Sequence, residues 1–118
     1  MQNGEDTVMT EISEKTIVDF LDFQGIPHQW CGFQYLYSAL MLVCNDATLR
    51  ANRQCGSILS MVGEPMDKSS STIDKGIRTA LAKINCPMSV SSFLFWACDT
   101  MRTKPQNEWK RWDSQKIG

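Results

Sequence analysis

The side chains that could do chemistry in this chain fall into two groups, and only one has a spacing that suits a task. His28 and Cys31 stand three residues apart and could be drawn as a nucleophile with its base, but no third group is at hand to orient the imidazole. Asp19 with Asp22, and Glu64 with Asp67, could be drawn as carboxylate pairs or the edge of a metal site. Acids spaced in this way ordinarily lie on a solvated face. Cys31, Cys44, Cys55, Cys86 and Cys98 are odd in number and include no Cys-x-x-Cys, so they form neither a disulfide framework nor a zinc knuckle. Reduced thiols serving as small apolar residues suit them better. No glycine-rich phosphate loop or catalytic triad motif occurs. This pattern argues against an enzyme and calls for no metal or cofactor.

The second group is Ser70, Ser71, Thr72, Asp74, Lys75, Arg78 and Thr79. At about 100° per residue, Ile73, Ile77, Ala80, Leu81 and Ile84 share one helical face while Ser71, Thr72, Lys75, Arg78 and Thr79 cluster opposite. Ser71 and Asp74 resemble a capping box, which predicts a helix over about 71–84. Before it, Ile58, Leu59, Met61 and Val62 make a short apolar cluster closed by Gly63 and Pro65. An apolar helix, a turn and a capped helix with a small-polar and basic outer face is the layout of a helix-turn-helix. Its second helix must enter the major groove of duplex DNA, so it needs side chains that hydrogen-bond base edges and phosphates. Ser70, Ser71 and Thr72 would also leave backbone N–H groups open to a phosphate. Ser71, Lys75, Arg78 and Thr79 are therefore expected to read or clamp the groove, with Asp74 tuning base choice. Lys104, with Lys110 or Arg111, is expected on flanking phosphates from charge alone.

These residues need a scaffold, and the rest of the chain predicts an all-α single domain of about six helices. Ser13 can cap a first helix carrying Ile17, Phe20, Leu21 and Gln24 on one face, ended by Gly25 and Pro27. From about Gly32 to Asn45, Phe33, Leu36, Ala39, Leu40, Val43 and Cys44 form a core stripe. Tyr35, Tyr37, Met41 and Leu42 add apolar surface around it, as in a central helix. Asp46 to Gln54 reads as a connection or weak turn. A later helix runs from about Ser89 or Ser91 to Arg102 with Phe93, Leu94, Trp96, Ala97 and Met101 apolar. Pro105 suits the first turn of a last short helix bearing Trp109 and Trp112. Residues 1–12 are expected to be a flexible acidic tail and 13–118 the domain.

Charge is distributed unevenly. Residues 1–46 hold seven acids against one base, a net of −6, while residues 47–118 hold eleven bases against six acids, a net of +5. A chain near neutral overall can thus still offer a basic face to phosphates. The longest apolar run, Ala39 to Cys44, is far short of a membrane span, and the first residues lack the blocks of a signal peptide. The cytoplasm is the expected compartment.

Three blocks carry a resemblance. They are Phe20-Leu21 through Gly25-Ile26-Pro27-His28 to Gly32-Phe33-Gln34-Tyr35-Leu36 with Ala39-Leu40, then Ser71 to Leu81, then Met101 to Asn107. Together, over roughly Thr16 to Trp112, they resemble the C-terminal effector domain of the response regulator that initiates sporulation in Bacillus- and Clostridium-type bacteria. The resemblance implies a six-helix domain that binds duplex DNA through the helix near Ser71, often as a head-to-tail pair. At matching positions Asp74 stands for a Glu, Lys75 for an Arg, Thr79 for a His and Thr72 for a basic residue, while Arg78 is kept. Lys75 lacks the planar fork that grips guanine, and the lost cations should lower phosphate affinity. Gly76, in place of Ala, is expected to cost the helix about 1 kcal/mol. Gly63 and Pro65 should shorten or break the scanning helix. With only a short acidic segment ahead of the first helix, no fused receiver would act as a switch. Two functions compete: a sequence-specific DNA-binding transcription regulator, and a non-catalytic helical module that pairs with a regulatory protein or a second copy.

Overall fold

Ser13 begins the first helix, α1 (Glu14–Phe23), by accepting a hydrogen bond from the Thr16 amide at 3.2 Å. The computed structural model describes residues 12–52 and 55–112, and the expected tail, apart from Ile12, and residues 113–118 lie outside them. Ile12 is buried, its amide donating to Asn45 Oδ1 at 2.7 Å. Gly25 ends α1 with φ +87, a conformation that suits glycine, and Ile26 N–H returns to the Leu21 carbonyl at 3.1 Å. Helix α2 (Cys31–Cys44) touches each of the other five α-helices, because it is apolar nearly all round. Phe33, Tyr35, Leu36, Ala39, Leu40, Val43 and Cys44 are all buried.

The weak segment after α2 is a short helix, α3 (Ala47–Asn52), started by Asp46 Oδ1, which accepts from the Thr48 and Leu49 amides. It positions Arg50 under the C-terminus of α2. There Arg50 Nη1 donates to the Cys44 carbonyl at 2.6 Å and Arg102 Nη1 donates to the same oxygen at 3.1 Å. Two cations thus satisfy carbonyls that have no partner within the helix.

Helix α4 (Cys55–Gly63) stops where Gly63 and Pro65 were expected to stop it. A 3₁₀ turn (Glu64–Met66) and a left-handed Asp67, φ 59, then reverse the chain into α5 (Ser70–Lys83). Gly63 is required here, since a Cβ would collide with the Lys68 carbonyl oxygen. The expected capping box is not formed. Ser69, two residues earlier than Ser71, is the N-cap and accepts from the Thr72 amide at 3.2 Å. Ser71 lies inside the helix, and Asp74 turns outward to Arg78. Ile73, Ile77, Ala80 and Leu81 face the core, and Ile84, just past the helix, is half-buried.

Helix α6 (Val90–Thr103), capped by Ser89, buries Phe93, Leu94, Phe95, Ala97, Cys98 and Met101. Among the described residues the expected last α-helix does not form: Pro105 leads into a 3₁₀ turn (Gln106–Glu108), and Trp109 is extended. Both Trp109 and Trp112 are nonetheless buried. The reason is Gln24, the buried polar residue at the end of α1. Its Nε2 donates to the Lys110 carbonyl at 3.0 Å, and its Oε1 accepts from the Trp112 amide at 2.9 Å. Partnered by this amide, the segment has no need of helical hydrogen bonds. Trp109 meets Phe20 edge-on at 5.1 Å. Trp96, one of the apolar residues of α6, is only half-buried and leans on Phe20 and Phe93. Among the described residues there are thus six α-helices, all-α as expected, and α3 makes up the number in place of the missing last one.

Candidate nucleic-acid interface

The outer face of α5 depends on how closely its inner face approaches α2. A Cβ on Gly32 would sit 2.5 Å from Ala80 Cβ and 2.8 Å from the Gly76 carbonyl oxygen. A Cβ on Gly76 would strike the Tyr35 ring, with Cδ2 at 2.6 Å. Gly76 is therefore a packing requirement, and the helix-propensity cost expected of it is the lesser term. Small residues on both helices let the backbones meet, which fixes the angle at which α5 is presented.

Ser71, Thr72, Lys75, Arg78 and Thr79 are all exposed, and Ser70 and Asp74 are half-buried. The exposed residues form two stripes. Thr72, Lys75, Thr79 and Lys83 line one wall of a groove of about 500 Å³, whose other wall is Gln29, Trp30, Cys31, Gly32 and Tyr35 of the α2 N-terminal region. Lys83 Nζ stands 4.8 Å from the centroid of the Trp30 ring, a cation–π contact. No acidic residue lines this groove. Outside it, Arg78 Nε lies 2.8 Å from Asp74 Oδ2, an ion pair one helical turn apart, with Arg78 two-thirds exposed. The guanidinium keeps its other N–H groups for a further partner.

A family model described as "Sporulation initiation factor Spo0A C terminal" matches residues 17–109, most of the chain. The chain belongs to the Spo0A C-terminal family. Spo0A C-terminal domains are non-catalytic DNA-binding transcriptional effector modules. No curated protein and no solved structure matches the chain.

Within this Spo0A C-terminal domain the remaining candidates separate from α5. Lys104 and Lys110 line a different cleft, of about 280 Å³, with Trp96, Asp99, Thr100 and Thr103 and no residue of α5. The Arg111 guanidinium packs over Gly25, 3.6 Å from where a Cβ would lie. Lys83 and Trp30 were missed from sequence. The spacing Thr72, Lys75, Thr79, Lys83 is a legible helical stripe, but Trp30 is 53 residues away and nothing local links it to Lys83.

The sites set aside earlier have structural explanations. His28 stacks on Phe33 with ring centroids 4.3 Å apart, and its Nε2 lies 2.6 Å from Asp22 Oδ1, which pins the turn between α1 and α2. Asp19 pairs with Lys15 at 2.7 Å. Cys44 and Cys98 share a buried thiol hydrogen bond, which with burial raises the Cys44 pKa. Burial likewise raises Cys55 and Cys86. Among the described residues no group of three or more His, Cys, Asp or Glu could hold a metal ion, and no helix is long and apolar enough to cross a membrane.

Proposed function

We propose that this chain is a sequence-specific regulator of transcription that lodges α5 in the major groove of duplex DNA. The observation that carries this is the division of α5. Its apolar face is locked against α2 and α4, while Ser71, Thr72, Lys75, Arg78 and Thr79 stand exposed on one helix of a family whose members bind DNA. An α-helix is the right size for the major groove, and hydroxyl, amine and guanidinium groups match base edges and phosphates. Arg78 is the base reader, with Asp74 holding its fork in place. Lys104 and Lys110, in their own cleft, serve phosphates farther along the duplex. The domain works in the cytoplasm, on DNA, as a head-to-tail pair or with a regulatory protein partner.

The test is fluorescence anisotropy of the purified domain against two labelled duplexes, one carrying the family's operator box and one scrambled, over a salt series. Tight, salt-sensitive binding to the box, weakened by Arg78→Ala, is the expected result. Salt-sensitive binding to both duplexes alike would mean a changed target, and selection from random sites would identify it. Absence of binding to either at low salt would overturn the proposal in favour of a pairing module, which would form its complex without DNA.

A further inference from the structure

We propose that the groove between α5 and the N-terminal region of α2 carries one sugar–phosphate strand of the duplex, with Lys75 and Lys83 as its phosphate contacts and Trp30 holding Lys83 in place. Base reading by a cation then falls to Arg78. This inference rests on the DNA-binding proposal and divides its labour.

The two stripes of α5 are chemically different. The groove-side stripe offers Lys75 and Lys83 with the hydroxyls of Thr72 and Thr79, and no carboxylate lines the groove. A polyanion there meets attraction and no opposing charge. The other stripe carries Asp74, whose carboxylate would repel a phosphate but holds Arg78 Nε at 2.8 Å. With the carboxylate paired beside Nε, the two terminal nitrogens of Arg78 are left as the fork that grips guanine O6 and N7. A helix of about 10–12 Å diameter fills a major groove about 12 Å wide, so its flanks must lie along the sugar–phosphate walls. Lys75 and Lys83 are eight residues apart, about 12 Å along the axis, which reaches more than one phosphate of a strand.

Trp30 gives Lys83 a fixed position. Its ring lies 4.8 Å from the ammonium, so the lysine is drawn toward the α2 wall of the groove. The close contact of Gly76 and Ala80 with Gly32 and Tyr35 closes the floor of the groove, and Cys31, an exposed thiol, marks the rim. On this basis Lys75 is no weakened copy of a base-reading arginine: it belongs to the strand channel.

The experiment measures anisotropy on the box and scrambled duplexes, or on the selected site, over a salt series for wild type, Lys83→Ala, Lys83→Arg, Trp30→Ala, Arg78→Ala and Lys15→Ala. Lys83→Ala should weaken both duplexes by the same factor and flatten the slope of log affinity against log salt by about 1. Lys83→Arg should restore the slope, and Lys15→Ala, on α1, should leave it unchanged. Trp30→Ala should weaken binding uniformly, with little further loss when combined with Lys83→Ala. Arg78→Ala should instead collapse the ratio between the two duplexes. As a second readout, bound duplex should protect Cys31 from maleimide, with Cys31→Ser identifying the labelled site. If the wild-type domain binds and Lys83→Ala leaves the slope unchanged, or Cys31 labels equally fast in the complex, the strand channel is wrong while DNA binding stands. If the wild-type domain binds neither duplex and selects no site, both proposals fall together.

Discussion

Two regions of this domain are built on opposite principles. Where α1, α6 and the C-terminal segment meet, bulk fills the space. Phe20, Phe93, Trp109 and Trp112 are buried, and a single buried amide, Gln24, gathers the extended end of the chain. Where α5 meets α2 and the turn, small residues let backbones touch: Gly32, Gly63 and Gly76 each sit where an added Cβ would collide with a neighbour, Ala80 being the one that Gly32 would meet. A bulk-filled region can lose volume and keep its shape at a cost in stability. A close-contact region cannot gain volume without moving α5. The difference teaches that stability and the presentation of α5 are separable here, lodged in different residues.

That separation can be broken by mutation, and the largest effect should come from the bulky region. Phe20→Ala, at a fully buried site, should cost about 3–5 kcal/mol in urea unfolding. The fraction still folded should bind duplex as wild type does. Gln24→Leu should cost about 1–3 kcal/mol for each of the two backbone groups it strands, at Lys110 and Trp112. Its Trp fluorescence should report exposure of the C-terminal segment.

Gly76→Ala sharpens the contrast, because two effects oppose each other. Helix propensity favours alanine by about 1 kcal/mol, while overpacking against Tyr35 costs about 1–3 kcal/mol. A small net destabilisation with a disproportionate loss of duplex affinity is expected, since α5 must shift to make room. A stability gain with affinity intact would show that the close contact does not set the aim of α5. Smallest is Ser69→Ala, which removes the cap and should cost about 1 kcal/mol by thermal melting. Ser71→Ala should leave stability nearly unchanged.

What could be read from sequence follows the range of the interaction that decides it. The polar face of α5, the Ser13 cap, the Gly25 stop and the short α4 all rest on neighbours within a turn or two, and the structure has each of them. The cap of α5 was displaced by two residues because Ser69, Ser70 and Ser71 carry equivalent hydroxyls, and only the burial of Ile73 and Ile77 sets the phase. The segment from Pro105 to Trp112 was misread as a helix because the side chain that gathers it, Gln24, lies 86 residues away from Lys110. Gly76 was misjudged for the same reason, since Tyr35 is remote in the chain. Within the candidate interface, Lys75 and Arg78 looked alike as exposed cations. Their separation into a groove wall and an Asp74-held fork depends on α2 lying against one side of α5.

The most direct test of the central claim is amide chemical-shift mapping of the labelled domain titrated with duplex DNA. Shifts concentrated on residues 70–83 of α5, with Trp30 and Cys31 following, are the predicted result. Shifts confined to other helices, or none at low salt, would contradict the assignment of α5 as the helix that reads DNA.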